Sequence, residues 1–582
     1  MSDNKTDRYK KGSKTDSAFS KKPKASRRRP LNRHKLEAPE DLNVSTSAKK
    51  LKQSDDLYDI EVDDAFGYRL LNFVAVFAAI SNVVVCKVCH SEVKFTETSR
   101  RGLGFKIVVS CDKCEKTKIP SCPFVNKGYD VNRRIVLAMR LLGVGLRGIT
   151  KFCAFMELPR PMFHLFYDKV VKNIASAADV VCKNSISNAA KAEKTISAET
   201  GENNGITVSG DGTWRKRGFS SLYGLVSLIG WHTGKVVDLI VKSKYCKACE
   251  YWKKKEDTEE YAEWSENHAS ECQANHERSA AKMEIDAVVE MFQRSETLHQ
   301  VKYANYIGDG KSKTFKGITD AKPYKNITVL KKECIDHVQK RMGTRLRNLK
   351  KVTKGLGGKG KLTGKLIDEL SIYYGLAIRR NCDSIEKMKN AIWATLYHKL
   401  STDEKPQHDK CPTGEDSWCS WQKAKATNSL GDYEHKPAIC NEVFEAIKPV
   451  YKELSNDDLL TRCIGGFTQN NNESFNSTVW ALAPKTISSG KLILDIVTNI
   501  VTCVYNDGFS SIMHIIDIMG MKIGPHSYNL CLEVDAEHIK QAERSLSEAA
   551  REARINLKTF RKEKEEEDVN LEGQLYGAGI AD

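Results

Sequence analysis

Two short stretches, each with an aspartate between glycines after a run of β-forming residues, constrain this fold most. The first reads ITVSGDGTW from Ile206 to Trp214, and the second reads YANYIGDG from Tyr303 to Gly310. Alternating β-formers predict strands, and each Gly-Asp-Gly predicts a turn. We therefore expect Asp211 and Asp309 at the ends of neighbouring strands. Carboxylates grouped in this way suit a divalent cation, because hard cations prefer oxygen ligands.

A third acidic residue, Glu473, lies in the stretch TQNNNESFNSTVWALAP. Asn470 to Asn472 offer a helix cap, and three apolar residues recur at helical spacing before Pro484: Phe475, Val479 and Leu482. Glu473 is thus predicted in the first helical turn, where the helix dipole favours its ionised form. Two strand aspartates and a helix glutamate are the components of a two-metal phosphoryl-transfer site. For each residue alone, the alternative is a plain turn or a solvated helix start.

The charge of the chain indicates its partner. The 582 residues carry a formal net charge of +17, which favours a polyanion such as nucleic acid. No apolar segment follows the charged start, so we expect no signal peptide. The most apolar run, Leu70 to Val85, contains two asparagines and is predicted to be a buried helix passing into a strand, not a membrane span.

The first 56 residues are polar and basic and are predicted to be disordered. They contain the cluster KKPKASRRR from Lys21 to Arg29, which suits nuclear import, so we expect a nuclear protein. A solubilising tail is the alternative interpretation of this cluster.

Eighteen cysteines without an export signal favour metal ligands or buried thiols over disulfides. Two CxxC pairs, Cys86 with Cys89 and Cys111 with Cys114, have the spacing of a zinc ribbon that binds Zn²⁺. Unliganded core cysteines are the alternative.

A second zinc site is predicted in the stretch from CKAC to HASECQANH. Its preferred ligands are Cys246, Cys249, Cys272 and His276, with His268 as the competing histidine. Farther on, a third metal site could use His408, Cys411 and Cys419, although no fourth ligand is obvious. The alternative is that these residues belong to an aromatic packing core with Trp418 and Trp421.

Basic residues next to the aspartates are predicted to hold DNA phosphates: Arg215, Lys216 and Arg217 after the first, Lys311 and Lys313 after the second. Solvated turn residues are the alternative. Short helices with cations over residues 129–182 resemble a helix-turn-helix DNA reader, although a three-helix packing module fits equally well.

Three strands in meander, a helix and then a further strand give the order of an RNase H-like α/β fold. We predict a basic segment (1–56), a zinc ribbon (57–128), a helical DNA-binding region (129–182) and a catalytic core (204–350 and 460–510). The core is interrupted by a zinc insertion at 246–278 and a mostly helical insertion at 351–459. A C-terminal helical region with a charged tail occupies 511–582.

From about Asp59 to Gly579 the chain resembles the Mutator-like transposases, which are DDE enzymes with an RNase H-like catalytic domain. The resemblance depends on both CxxC pairs and on GDGTW, CKAC, HASECQANH, GDGKSKTF, CIDH, HDKCP, SWCSW and NNNESFNSTVW. It implies that Asp211, Asp309 and Glu473 are catalytic. It also matches Cys334 and His337 to the Cys-x-x-His signature of the superfamily, whereas the residues alone suggest a packed cysteine and a capping histidine.

The resemblance further implies Mg²⁺ or Mn²⁺ as the catalytic ion. It implies that the partner is double-stranded DNA, both the transposon terminal repeats and the target. It also implies a homo-oligomer when two transposon ends are brought together, and no membrane partner. Hydrolysis at a transposon end leaves a 3′-hydroxyl, which then attacks target DNA. The alternatives are a zinc-containing DNA-binding factor that derives from a transposase but lacks catalysis, and a structure-specific nuclease.

Overall fold

The computed structural model describes residues 45–52, 60–125, 128–216, 221–308, 313–358, 360–487 and 489–550, together with 552–554, 556, 557 and 560. It is a mixed α/β structure that is 56% helical. The cluster from Lys21 to Arg29 and the acidic C-terminal tail lie outside the described residues. None of the described helices combines the length and the apolar character that crossing a bilayer requires.

The N-terminal part combines short strands with helices of increasing length. Its elements are α1 (Thr46–Lys52), α2 (Phe73–Ser81), β1 (Lys94–Arg101), β2 (Gly104–Ser110), β3 (Thr117–Pro120), β4 (Phe124–Val125), β5 (Gly128–Tyr129), α3 (Asp130–Leu141), α4 (Leu146–Phe155) and α5 (His164–Glu199). The prediction of disorder is wrong for 45–52, because α1 buries Ala48 and places the Lys50 ammonium 3.6 Å from the centre of the Tyr505 ring.

Strands β1, β2 and β3 form an antiparallel sheet in that order. Helix α2 lies against this sheet through Phe73, which contacts Phe105, and through Phe77, which contacts Phe95. The prediction that this apolar helix is buried is wrong, since none of its residues is fully buried and Val74 is 75% exposed. Only one face of the helix finds aromatic partners.

Helices α3, α4 and α5 pack together over 130–199, and α5 extends far beyond the predicted end of this region at 182. Two of the cations expected on a DNA-reading surface are buried instead. Arg133 donates to the carbonyl of Met519 at 3.1 Å, and Arg140 donates to the Tyr167 hydroxyl at 2.6 Å. Arg147 remains exposed. The two buried arginines therefore stabilise the helix packing and do not face solvent.

The central part holds a five-stranded sheet. Its elements are β6 (Ile206–Trp214), β7 (Tyr223–Gly230), β8 (Val236–Ser243), α6 (Lys247–Trp252), α7 (Glu259–His268), α8 (Ala280–His299), β9 (Tyr303–Gly308), α9 (Lys313–Ala321) and β10 (Leu330–Glu333). The strand order is β10-β9-β6-β7-β8. Strands β6, β7 and β8 are antiparallel neighbours, and β9 is parallel to both β6 and β10. Every residue of β7 is buried, as expected for a strand that is covered on both faces.

Six helices follow β10: α10 (Ile335–Val352), α11 (Gly364–Arg380), α12 (Ile385–Leu400), α13 (Ser420–Ala426), α14 (Asn441–Leu454) and α15 (Asp457–Cys463). All of them except α13 contribute to an apolar core of their own. Tyr374 and Tyr451 are among its fully buried side chains. The Tyr374 hydroxyl donates to the carbonyl of Leu454 at 2.8 Å, which satisfies its buried polar atom.

The chain then returns to the sheet. The last elements are α16 (Asn470–Leu482), α17 (Lys491–Asp507), α18 (Ser511–Ile518) and α19 (Pro525–Leu546). The apolar side chains of α16 and α17, including Phe475, Val479 and Val501, share a core with β7 and β8. Another face of α17 packs against α5 through Ile496 and Ile500. Thus α16 lies on the sheet although more than two hundred residues separate it from β6.

Candidate active site

Asp211 lies within strand β6, where it pairs with Ser227 of β7. The predicted turn at Gly-Asp-Gly is therefore wrong, because the strand continues to Trp214. The two glycines serve close packing instead. A Cβ atom at Gly210 would lie 2.5 Å from the Tyr306 ring, and one at Gly212 would lie 3.1 Å from the Glu284 carboxylate. The absence of both side chains lets other groups approach the backbone on either side of Asp211.

Helix α16 meets β6 through a row of polar side chains. Gln469, the residue before the helix, donates to the carbonyl of Gly210 at 2.7 Å, and Asn472 donates to the carbonyl of Ser209 at 3.1 Å. The predicted cap is wrong, because the N-cap residue is Gln469 and its side chain makes no capping bond. These amides hold the helix against the strand.

The same row continues toward the aspartate. The Asn476 amide donates to Asp211 Oδ2 at 2.8 Å, and the Trp480 indole donates to Thr213 Oγ1 at 2.9 Å. Asn472, Asn476 and Trp480 recur every four residues, so they lie on one face of α16. The Asn476 bond fixes the orientation of the Asp211 carboxylate.

Asp211 and Glu473 line one open cleft of about 600 Å³. Six further residues, none of them predicted from the sequence as site residues, complete the lining of this cleft: Thr213, Asn476, Ser477, Trp480, Ala481 and Lys485. The Lys485 ammonium lies 5.0 Å from the centre of the Trp480 ring, so the cleft has a cation at one wall. Helical spacing from Glu473 identifies Asn476, Ser477 and Trp480 once this helix is known to cover β6.

The pKa of Asp211 is raised from 3.8 to about 6. Burial is the largest cause, and the neighbouring negative charges of Glu284 and Glu473 contribute to the same rise. Hydrogen bonds from the Gly212 backbone and from Asn476 act in the opposite direction. The Asp211 carboxylate is thus partly removed from water and lies near other negative charges. An arrangement of this kind favours a bound proton or a bound cation.

Glu284 on α8 is an acidic neighbour of Asp211 that was not predicted from the sequence. Its Oε1 accepts a hydrogen bond from Thr314 Oγ1 at 3.0 Å, while its Oε2 lies beside Gly212. Burial raises the pKa of Glu284 as well. In the sequence it is one of many charged residues on an ordinary amphipathic helix, and only the missing side chain at Gly212 hints at a close neighbour.

Asp309 lies outside the described residues, as do Arg217 and Lys311. Strand β9 is described up to Gly308, the residue that directly precedes Asp309. Ser209 of β6 pairs with Ile307 of β9, two residues before each predicted aspartate. The end of β9 is therefore beside the part of β6 that carries Asp211.

The remaining predicted phosphate ligands differ in their surroundings. The Arg215 guanidinium donates to the carbonyl of Ser489 at 2.6 Å, so it connects β6 to the segment before α17. Lys216 and Lys313 are exposed. The two lysines are placed to meet a polyanion, whereas Arg215 already has a structural partner.

Cys334 and His337 begin helix α10 close to the start of α16. Cys334 is buried beside Ile307 and Phe467. Burial raises the pKa of its thiol, while backbone hydrogen bonds from His337 and Gln469 act against that rise. Burial lowers the pKa of His337, and the charge of Glu473 acts against that shift. The pair therefore adjoins the cleft and supports the residues that begin α16.

The predicted zinc ribbon brings its four cysteines together. Cys86 and Cys114 have their sulfurs 3.8 Å apart, and those of Cys89 and Cys111 are 3.5 Å apart. All four sulfurs lie within 4.8 Å of one another, so the cluster could hold zinc.

A second cluster contains Cys246, Cys249, Cys272 and His268. His268 Nε2 lies 3.3 Å from the sulfur of Cys246, so the alternative histidine takes the place predicted for His276. His276 is held elsewhere, because its backbone N–H donates to Ser243 and its ring faces Asp286. The preference for His276 is therefore corrected. A third cluster, around His408, gains His398 as a fourth member.

The family profile described as Mutator-like transposase matches residues 67–419, more than half of the chain. The match includes Asp211 and Asp309 and ends before Glu473. A search of curated proteins gave no match.

Proposed function

The chain belongs to the Mutator-like transposase family, and from that membership we propose that it is an active DDE transposase. It would bind transposon ends, cleave them and join them to target DNA. Asp211, Asp309 and Glu473 are the proposed catalytic residues. The observation that carries the proposal is that Asp211 of β6 and Glu473 of α16 line one cleft, although the chain between them forms a separate helical core.

The strand order supports an RNase H-like core. Three antiparallel strands in meander are followed by a helix, and the next two strands lie parallel to the first on its other side. We propose that 351–459 is an insertion into this core. Its helices other than α13 share one apolar cluster with α10 and α15, and α16 contacts β6 directly after these helices.

The donor set fits a hard divalent cation. Asp211 is surrounded by like charges, its pKa is raised to about 6, and Glu473 faces the same cleft. These residues, with Asp309 following the end of β9, would hold Mg²⁺ or Mn²⁺. When bound, such a metal pair lowers the pKa of the attacking water or 3′-hydroxyl and stabilises the leaving oxygen.

Other residues of the cleft would position the reacting groups. Asn476 donates to one carboxylate oxygen of Asp211 and so orients this carboxylate in the cleft. Glu284 lies beside Gly212, and its negative charge disfavours the ionised form of Asp211 when no cation is bound. Lys485 on the cleft wall is placed to neutralise a phosphate of the DNA strand.

We propose double-stranded DNA as the partner and the nucleus as the place of action. The net charge of +17 and the exposed Lys216 and Lys313 support a polyanionic partner. The cluster from Lys21 to Arg29 supports nuclear import. Joining two transposon ends requires two active sites, so we expect a homo-oligomer on DNA.

Product analysis tests this proposal. The full chain would be incubated with a plasmid carrying the inverted repeats that flank its gene, a target plasmid and Mg²⁺ or Mn²⁺. A transposase yields joined ends. Nicks without joining would identify a nuclease instead, and specific binding of the repeats without cleavage would identify a DNA-binding factor derived from a transposase.

A further inference from the structure

Four residues in the helical insertion bring metal-ligand atoms to one point: His398, His408, Cys411 and Cys419. We propose that they form a third zinc site, distinct from the two CxxC clusters, whose role is to hold the segment 401–440 against helix α12. His408, Cys411 and Cys419 are buried. His398 lies in the last turn of α12 and completes a set that lacks a fourth ligand in the sequence.

The distances between these atoms agree with tetrahedral zinc. Zn–S bonds of about 2.3 Å and Zn–N bonds of about 2.0–2.1 Å set N···N separations near 3.3 Å and N···S separations near 3.6 Å. The Nδ1 atoms of His398 and His408 are 3.3 Å apart. The Cys419 sulfur lies 3.6 Å and 3.4 Å from them, and the Cys411 sulfur lies 3.9 Å and 3.8 Å from them.

The outer ring nitrogen of His408 has two polar neighbours. His408 Nε2 lies 2.9 Å from His435 Nε2 and 2.8 Å from the Ser401 hydroxyl. His435 Nδ1 in turn lies 2.6 Å from the Asp403 carboxylate. A ligand histidine whose other ring N–H donates to a polar partner is a recurrent feature of zinc sites, and His408 has such partners at Nε2 while its Nδ1 faces the cluster.

The alternative of an aromatic packing core does not account for the polar atoms. Trp421 stacks on His408 at 4.8 Å, and Trp418 contacts His398 edge-on at 5.0 Å. Those rings cover the cluster, but the buried apolar group that they pack against consists of Ala394 and the two cysteines themselves. Apolar packing gives no role to two ring nitrogens and two sulfurs that face one another, whereas a bound cation would use a lone pair of each of the four atoms.

The zinc would stabilise a segment that has little regular secondary structure of its own. Between α12 and α14 the described chain forms only α13, of seven residues, and a 3₁₀ turn at Leu430–Asp432. A four-ligand site joins the end of α12 to three points of this segment. Metal binding of this kind supplies folding free energy directly.

The test counts zinc in the purified full chain by elemental analysis, as moles of metal per mole of protein. We expect three in the wild type and two in His398→Ala. Cys440→Ser, which changes an exposed cysteine outside the three clusters, should keep three. His435→Ala should keep three but lose the third zinc to a chelator at about 10- to 100-fold lower concentration. An unchanged count in His398→Ala would overturn the proposal.

A second measurement covers the case in which His398→Ala does not fold. Wild-type protein would be alkylated with and without prior chelation, and each cysteine would be scored by mass spectrometry. We expect Cys411 and Cys419 to be protected with zinc and reactive after chelation, while the buried Cys463 stays protected in both. Reactivity that chelation does not change, or a disulfide between Cys411 and Cys419, would overturn the proposal.

Discussion

The carboxylate cleft and the cysteine clusters are assembled from the chain in opposite ways. Asp211 and Glu473 come together only because α16 returns to β6 after a separate helical core has formed. The ligands of each cysteine cluster lie within one short stretch of chain. The comparison indicates that the clusters order local segments independently, whereas the chemistry depends on the whole fold. We expect the two kinds of site to fail differently when a ligand is removed.

Substitution of Glu473 should separate chemistry from folding most clearly. Glu473→Gln removes a proposed metal ligand from an exposed helix position, so we expect DNA cleavage to fall by about 1,000-fold, or about 4 kcal/mol of barrier. The melting temperature should not change, because the side chain is not buried.

The control for this substitution is Glu533→Gln, an exposed glutamate of α19. It should cleave DNA at the wild-type rate. Cleavage by Glu473→Gln at a rate comparable to that of the control would remove Glu473 from the proposed site.

The second cysteine cluster gives the opposite failure. His268→Ala should lower zinc affinity at this cluster by more than about 100-fold, since a direct ligand matters more than an outer one. It should also expose 246–278 to protease. His276→Ala should keep the zinc, because its ring lies beside Asp286 and not at the cluster. Zinc loss in His276→Ala alone would reverse the assignment and restore the preference drawn from the sequence.

The charge of Asp211 connects the carboxylate cleft to the stability of the folded protein. Its folded pKa of about 6 lies above its usual 3.8. The native state therefore holds the proton more tightly, and without metal its stability falls as pH rises from about 4 to 6. Asp211→Asn should remove this cost, raising the free energy of unfolding at pH 7.5 by at most about 3 kcal/mol.

This gain should disappear below about pH 4, where both proteins are uncharged at residue 211, and should shrink when Mg²⁺ is added to the wild type. Urea unfolding at the two pH values measures it. A variant that is less stable than the wild type at pH 7.5 would contradict the raised pKa.

The smallest expected effect concerns orientation of the carboxylate. Asn476→Ala removes a bond that lowers the pKa of Asp211, so that pKa should rise further. Cleavage should fall by about 10-fold, in line with a lost hydrogen bond to a charged group. The acid limb of its pH–rate profile should move to higher pH. Thr478→Ala is the matched control, because the Thr478 hydroxyl donates to the carbonyl of Ser474 in its own helix. It should leave the profile unchanged.

The sequence predicts the local parts of this molecule well. The CxxC spacing identifies the first cluster, and the alternating β-formers identify strand β6, which runs from Ile206 to Trp214. Prediction from the sequence is wrong where the contacting residue is distant along the chain. The glycines around Asp211 indicate a turn until Tyr306 and Glu284 are seen to occupy the space beside them.

The same reason explains the other differences. Asn472 belongs to a residue type that caps helices, yet it bonds the carbonyl of Ser209 because α16 lies on the sheet. His268 and His398 belong to the clusters because helices α7 and α12 end there. Ligand spacing alone does not report where a helix ends. Glu284 has no local signal apart from its charge.

Strand transfer by wild type beside Asp211→Asn tests the central claim most directly. Both proteins would be assayed with the flanking inverted repeats, target plasmid and Mg²⁺ or Mn²⁺, after gel-shift measurement of their DNA affinity. We expect equal DNA binding by the two proteins, joined products from the wild type and no detectable joining from the variant. Equal joining by both proteins would contradict a catalytic role for the carboxylate cleft.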